Sequence, residues 1–254
     1  MFSMQISSTA YPLPKRPVET PLNRSIWRSK MKNRIRTLAA LVLSVLMVMT
    51  FMTSCSSKPT ADDAKAYVKA TMDLMCTGDY DHSVKLADVE EGNETALRDE
   101  MIDDVITELT GSMGLDEEAA NAFKDVMLKA LSLAKYEVTD AVATEGEEGG
   151  FDVTVSVEPL KMFDGATAAF QEQMPDITGH SMAELQAMSE TELNNVLYKA
   201  LFGFISDRLD SPTYAEPVEV VVHYGLLDEE EKLYGCSEAE GEKLGEKLIT
   251  LEGM

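Results

Sequence analysis

Spacing alone divides the chain into stretches of two different periods. From residue 61 to 131, apolar side chains recur at three- and four-residue steps, which predicts helices. Ala64, Tyr67, Val68, Met72 and Met75 mark the inner face of a first helix. Thr60 caps it, Asp62 and Asp63 sit in the first turn where the helix dipole favours anions, and Gly78 stops it. Asp79-Tyr80-Asp81 opens a short helical turn through Val84 and Leu86. Thr95 caps a second helix with Leu97, Met101, Val105 and Leu109 inward, ended by Gly111 and Gly114. Asp116 caps a third, with Phe123, Met127, Ala130 and Leu131 inward.

The period then drops to two. Tyr136, Val138 and Val142 alternate with polar residues, and Phe151, Val153, Val155 and Val157 alternate strictly with Asp152, Thr154, Ser156 and Glu158. Between them lies Glu145-Gly146-Glu147-Glu148-Gly149-Gly150, a turn, so the pair reads as a β-hairpin with one apolar face; Pro159 ends it. Residues 161–210 return to helix. A first piece spans about 164–173 and is broken by Pro175 and Gly179. Ser181 begins a short one, and Ser189 with Glu192 forms a capping box for a long one. In the long helix Leu193, Val196, Leu197, Ala200, Leu201, Phe204 and Ile205 form a broad stripe, expected to face the core. Val218, Val220, Val222 and Tyr224 make a third strand, Lys232 to Cys236 a short fourth. Ser237 and Glu240 suggest a second capping box, opening a last helix through Leu244 and Leu248. The order predicts an α+β domain, with helices packed on one face of a small antiparallel sheet of about four strands.

Upstream of this domain the pattern is of another kind. Met31-Lys32-Asn33-Arg34-Ile35-Arg36 is basic, Leu38 to Met52 is an uncharged, mostly apolar run of 15 residues, and Thr53, Ser54 and Cys55 follow. That order is a secretory signal, its core too short for a comfortable permanent span. Met52-Thr53-Ser54-Cys55 resembles the bacterial lipobox, read by diacylglyceryl transferase and lipoprotein signal peptidase, with Met where Leu is usual. The resemblance implies cleavage between Ser54 and Cys55 and acyl chains on Cys55, an anchor that holds stably once two chains are present. It also implies a lipoprotein on the extracytoplasmic face of the cell membrane. An ordinary signal peptide, or an uncleaved anchor with an incidental cysteine, is the alternative. The signal begins so cleanly at Met31 that residues 1–30 read as an extension ahead of the true start; a long basic leader is the other reading. The expected division is 1–30 extension, 31–54 signal, 55–60 tether and 61–254 a single domain.

Removal of the leader sharpens the charge. Eight of the 22 Lys and Arg and one of the 45 acids precede Cys55, which leaves 14 bases against 44 acids, a net of −30. Such a surface repels nucleic acid and anionic headgroups, so no nucleic-acid partner is expected. The plain reading of the acidity is solubility. Besides Cys55 the mature chain has Cys76 and Cys236. Outside the membrane they could bridge, closing a loop worth roughly 5 kcal/mol in the entropy model. Otherwise they are two buried thiols acting as small apolar residues.

The stretch Tyr67-Val68-Lys69-Ala70 through Gly78-Asp79-Tyr80-Asp81 resembles the first-helix region of lipid-anchored domains of unknown function in Gram-positive bacteria. Those are similar to the nuclear-transport-factor-two-like (cystatin-like) superfamily, in which helices fill the concave side of a cone-like curved sheet. The hairpin strand Phe151 to Leu160 followed by a helical insert fits the same likeness. Leu233-Tyr234 stands where the final strand commonly carries a tryptophan. Enzymes of that superfamily use a carboxylate, histidine or tyrosine inside the cone, which makes Asp140 the candidate, in phase with Tyr136, Val138 and Val142. A carboxyl group there would have a raised pKa and could act as a base; a strand bulge would leave it in water. His82, His180 and His223 lie in unrelated segments without zinc-like spacing, and His223 should face solvent. Glu145–Glu148 and Asp228–Glu231 lack the spacing of a calcium loop and read as solvated turns. The 16 methionines at helical spacing read as core filler. No metal and no cofactor is expected. The expected function is a non-enzymatic lipoprotein binding a small ligand or protein partner. An enzyme built around Asp140, or a structural envelope accessory acting through its acidic surface, are the alternatives.

Overall fold

The computed structural model describes residues 50–52, 58–86, 89, 91–163, 166–230 and 232–250. Ser54, Cys55 and the proposed extension lie outside them. The elements run β1 (Thr50–Met52), α1 (Ala61–Thr77), α2 (Glu94–Met113), α3 (Glu117–Ser132), β2 (Lys135–Ala143) and β3 (Phe151–Glu158). The chain continues through α4 (Ala166–Thr178), α5 (Met182–Ala187), α6 (Glu190–Arg208), β4 (Val218–Asp228), β5 (Leu233–Cys236) and α7 (Glu238–Leu248).

The sheet is antiparallel in the order β1-β5-β4-β3-β2, and the helices cover one of its faces. Val153, Val155 and Val157 of β3 and Val220, Val222 and Tyr224 of β4 form the floor of the core. The outer face is polar at Asp152, Thr154 and Ser156, with Val221 left exposed. β1 comes from the last residues of the run read as signal core, with Phe51 opposite Tyr234. A cut before Cys55 would take β1 away and leave β5 at the edge.

α1 is the central element. Thr60 and Asp63 form a reciprocal capping box, and Gly78 closes the helix at φ +79, its N–H donating to the Leu74 carbonyl. Buried residues circle most of α1, because it packs on β2, β3 and β5 on one side and on α2 and α3 on the other. α6 then packs on α3, and α4 on α6, so the insert lies furthest from the sheet.

Four local expectations are corrected. Residues 79–86 make a turn and no helix. α2 begins at Glu94 without a side-chain cap; Thr95 Oγ1 donates instead to the Gly78 carbonyl at 3.0 Å, tying α2 to the end of α1. α4 runs through Pro175 to Thr178. Ser237 makes no side-chain cap hydrogen bond: the Glu240 N–H donates to the Ser237 carbonyl at 3.1 Å, and the Glu240 carboxylate accepts from the His223 backbone N–H at 3.0 Å.

Candidate functional site

The insert carries an open groove, and α6 builds most of it. Ser189 and Glu192 fix the start of α6 by a capping box, which sets the phase of everything downstream. Tyr198, Leu201, Phe202 and Ile205 turn toward α3, and Leu193 and Leu197 join Leu185 of α5 in a second small core. Val196, Ala200, Gly203 and Phe204 lie between those faces. Val196, Ala200 and Phe204 stand four residues apart, and Gly203 three after Ala200, so they share one side of the helix. Ile177, Gln173 and Thr178 of α4 supply the opposite wall, and the space between encloses about 730 Å³. That is within the usual range of roughly 300–1,000 Å³ for ligand clefts.

Gly203 is the telling residue. A Cβ built there would meet nothing within 4 Å. Glycine inside a helix costs about 1 kcal/mol relative to alanine, and no neighbour in the fold requires its absence of a side chain. Gly203 lies in the groove lining and leaves the α6 backbone uncovered there.

The charges around the groove invert those of the chain. Acids outnumber bases threefold over residues 55–254, yet the lining has Lys199 and Arg208 against Asp207. Lys199 pairs with Glu118 of α3, both side chains being exposed, and the Arg208 guanidinium lies 5.8 Å from the Phe204 ring centre.

The interior facing the sheet is, by contrast, filled. Tyr67, Val68, Met72 and Met75 of α1 share one core with the β3 and β4 valines. Of the two alternatives for Asp140, the backbone takes the bulge. The β2–β3 register shifts between Val138 and Asp140, which reverses the alternation and turns Ala141 inward. Val142, expected inside, is 59% exposed, and Asp140 is exposed with its carboxylate accepting from the Ala141 N–H at 2.9 Å. Tyr136, before the bulge, does point inward, but to Asp73 of α1, to which its hydroxyl donates at 2.7 Å. Tyr136 and Asp140 are therefore not brought together.

Cys76 and Cys236 are two free, buried thiols. Cys76 sits by Tyr136 and Asp73 near the end of α1, whereas Cys236 sits by Tyr67, nine residues earlier on the same helix. That is about 13 Å along the axis, beyond the roughly 7 Å a disulfide allows between Cα atoms. Burial pushes each thiol up to about 12, so neither is a nucleophile at neutral pH.

His223 faces outward as expected, but it is held. Its Nδ1 lies 3.2 Å from Asp152 and its Nε2 3.1 Å from Glu147, with Thr144 Oγ1 at 3.5 Å. A Cβ at Gly225 would run into the Glu147 carboxylate and the His223 ring, so the glycine seats this pair. Glu240 faces the His223 backbone, with Lys243 3.4 Å from that carboxylate. Desolvation lowers the imidazole pKa, but the Asp152 and Glu147 contacts outweigh it and the net shift is upward. A histidine raised in the folded state contributes stability fully below its unfolded value of about 6.5 and loses it as pH rises through the folded value. Substituting His223→Gln should therefore cost more stability at pH 6 than at pH 8.5. The effect should be small, because the side chain is 37% exposed. Urea midpoints differing equally at both pH values would refute the latch.

Val196, Ala200 and Phe204, expected to face the core, do pack on it, but they also line the groove, which the stripe alone does not show. The available signal was Gly203, a helix-weakening residue inside an otherwise strong stripe. No protein-family profile matches the chain, and no curated protein matches it. Among solved structures, the candidate lipoprotein ycdA of Bacillus subtilis is similar at 14% identity with a TM-score of 0.48. The match covers 75% of this chain and 56% of that protein, so the chain spans little more than half of its length. A likeness of that size fixes neither family nor function.

Proposed function

We propose that the mature chain is a lipid-anchored protein on the outer face of the cytoplasmic membrane, which binds a small ligand or partner segment in the groove between α4 and α6 without catalysing a reaction. The anchor rests on the run from the basic residues before Leu38 to Cys55. The binding role is carried by the open groove with its glycine floor.

The placement of the tether is consistent with both. Pro59 is buried against the hairpin turn, where a Cβ at Gly149 would lie 3.3 Å from its ring, and Lys58 pairs with Glu148. The other end of the hairpin lies by the end of α6, where Lys129 donates to the Ser206 carbonyl at 2.7 Å and Tyr214 to the Leu133 carbonyl at 2.8 Å. β3 alone separates those ends by about 26 Å. A lipid on Cys55 would thus hold the Arg208 end of the groove away from the bilayer. Asp140 is exposed and apart from Tyr136, so the enzyme alternative built on that pair has no support among the described residues.

Metabolic labelling with an alkyne fatty acid tests the anchor. Wild type should be labelled and Cys55→Ala should not, and protease added to intact protoplasts should degrade the labelled domain. Equal labelling of both forms would sink the anchor.

A further inference from the structure

We infer that the groove takes an amphiphilic anion, its apolar body along Ala200, Gly203 and Phe204 and its acidic head at Lys199. The inference rests on the binding role proposed for this groove and adds the chemical class of the ligand.

The direction follows from how the two helices lie. The Phe170 ring of α4 meets the Phe204 ring of α6 at 5.9 Å, and Met174, four residues on, packs on the cluster of Leu185, Leu193 and Leu197, so the later residues of α4 run alongside the earlier residues of α6. The groove therefore has two unlike ends. At one, Arg208 has Asp207 beside it in the lining, and the charges balance. At the other, Lys199 shares the lining with Gln173, Thr178 and His180, none of them an acid. The acid that meets Lys199 is Glu118, which comes from α3 and is not part of the lining. That pair is exposed on both sides, and such pairs are worth little and exchange easily. A ligand carboxylate or other acidic head can take the place of Glu118 at small cost.

The middle of the groove has no charge to satisfy. Val196, Ala200, Gly203 and Phe204 on one wall and Ile177 on the other offer apolar surface, and the missing side chain at Gly203 leaves room for a chain to lie against the α6 backbone. A fully polar anion would strand this surface against water-ordered space, and an uncharged apolar molecule would leave Lys199 unused. An apolar body with one acidic end satisfies both.

Titration calorimetry of the full chain with octanoate and, separately, octylammonium tests this. Octanoate should bind and octylammonium should bind at least about tenfold more weakly, a difference of one charge contact. Lys199→Glu should weaken octanoate by about tenfold, while Lys65→Glu, the same change of net charge on α1, should leave it unaltered. Gly203→Leu should abolish binding while the far-ultraviolet circular dichroism and unfolding midpoint stay native-like. Equal binding of the two amphiphiles, no binding of octanoate to wild type, or equal affinity of the Lys199 and Lys65 variants would overturn the anionic class. Undiminished octanoate binding to a folded Gly203→Leu would overturn the groove itself, and with it the proposed binding role.

Discussion

Replacing Phe202 by Ala should lower the free energy of unfolding by about 3–5 kcal/mol, enough to shift a urea midpoint far outside error. Phe202 is 2% exposed and points from α6 into α3. Its ring lies 5.1 Å from Phe123 and 5.9 Å from Tyr198. Removing it deletes a large transfer term and leaves a cavity between two helices whose backbones are already fixed, one by the Asp116 cap and the other by the Ser189–Glu192 box. The surrounding rings cannot collapse into that space without moving a helix, which places the cost at the high end of the range. Val221→Ala is the matched control. Val221 is 43% exposed on the outer sheet face, and its loss should change stability by no more than about 0.5 kcal/mol. A Phe202→Ala midpoint close to that of Val221→Ala would mean that α6 does not pack on α3 as described. The consequence for function is direct: α3 is the support of α6, and α6 carries the groove.

Those elements were legible in the sequence because each is set by local chemistry. Thr60, Asp116, Ser181 and Ser189 announce helix starts through side chains that satisfy free N–H groups, and all four do so here. The strict alternation of Phe151 to Glu158 gave β3 and its inner face, since period two admits one assignment of sides. What failed was non-local. The bulge at Thr139 reverses Asp140 and Val142 by pairing with β3, and nothing within β2 itself encodes that shift. Ser237 and Glu240 have capping-box spacing, but His223, fourteen residues earlier than Ser237, competes for the carboxylate. The α6 stripe could be read as apolar but not divided, because whether Phe204 meets a helix or a groove depends on how α4 crosses it. Pro175 illustrates the same limit: in isolation it breaks a helix, yet α4 continues through it.

Tyr136 shows how such a division changes a functional reading, and Tyr136→Phe should cost about 1.5–3 kcal/mol of stability, the usual worth of a hydrogen bond to a charged group. The hydroxyl donates at 2.7 Å to Asp73, whose other oxygen takes Lys69 Nζ at 2.5 Å. Tyr136 stands on β2 and Asp73 on α1, so this contact ties the sheet to the central helix. Its phenol is raised by burial first and then by the neighbouring Cys76 and Asp73, which keeps it protonated and donating at every physiological pH. Deleting the oxygen leaves a part-buried carboxylate with one partner fewer. A double-mutant cycle with Asp73→Ala should return most of the loss as coupling between the two positions, because either single change removes one partner of the same bond. If Tyr136 were instead a spectator in stability and poised for proton transfer, Tyr136→Phe would unfold at the wild-type midpoint with no coupling to Asp73. In that event the tyrosine would be free to serve chemistry, and the reading of the sheet side as filled and structural would have to be given up.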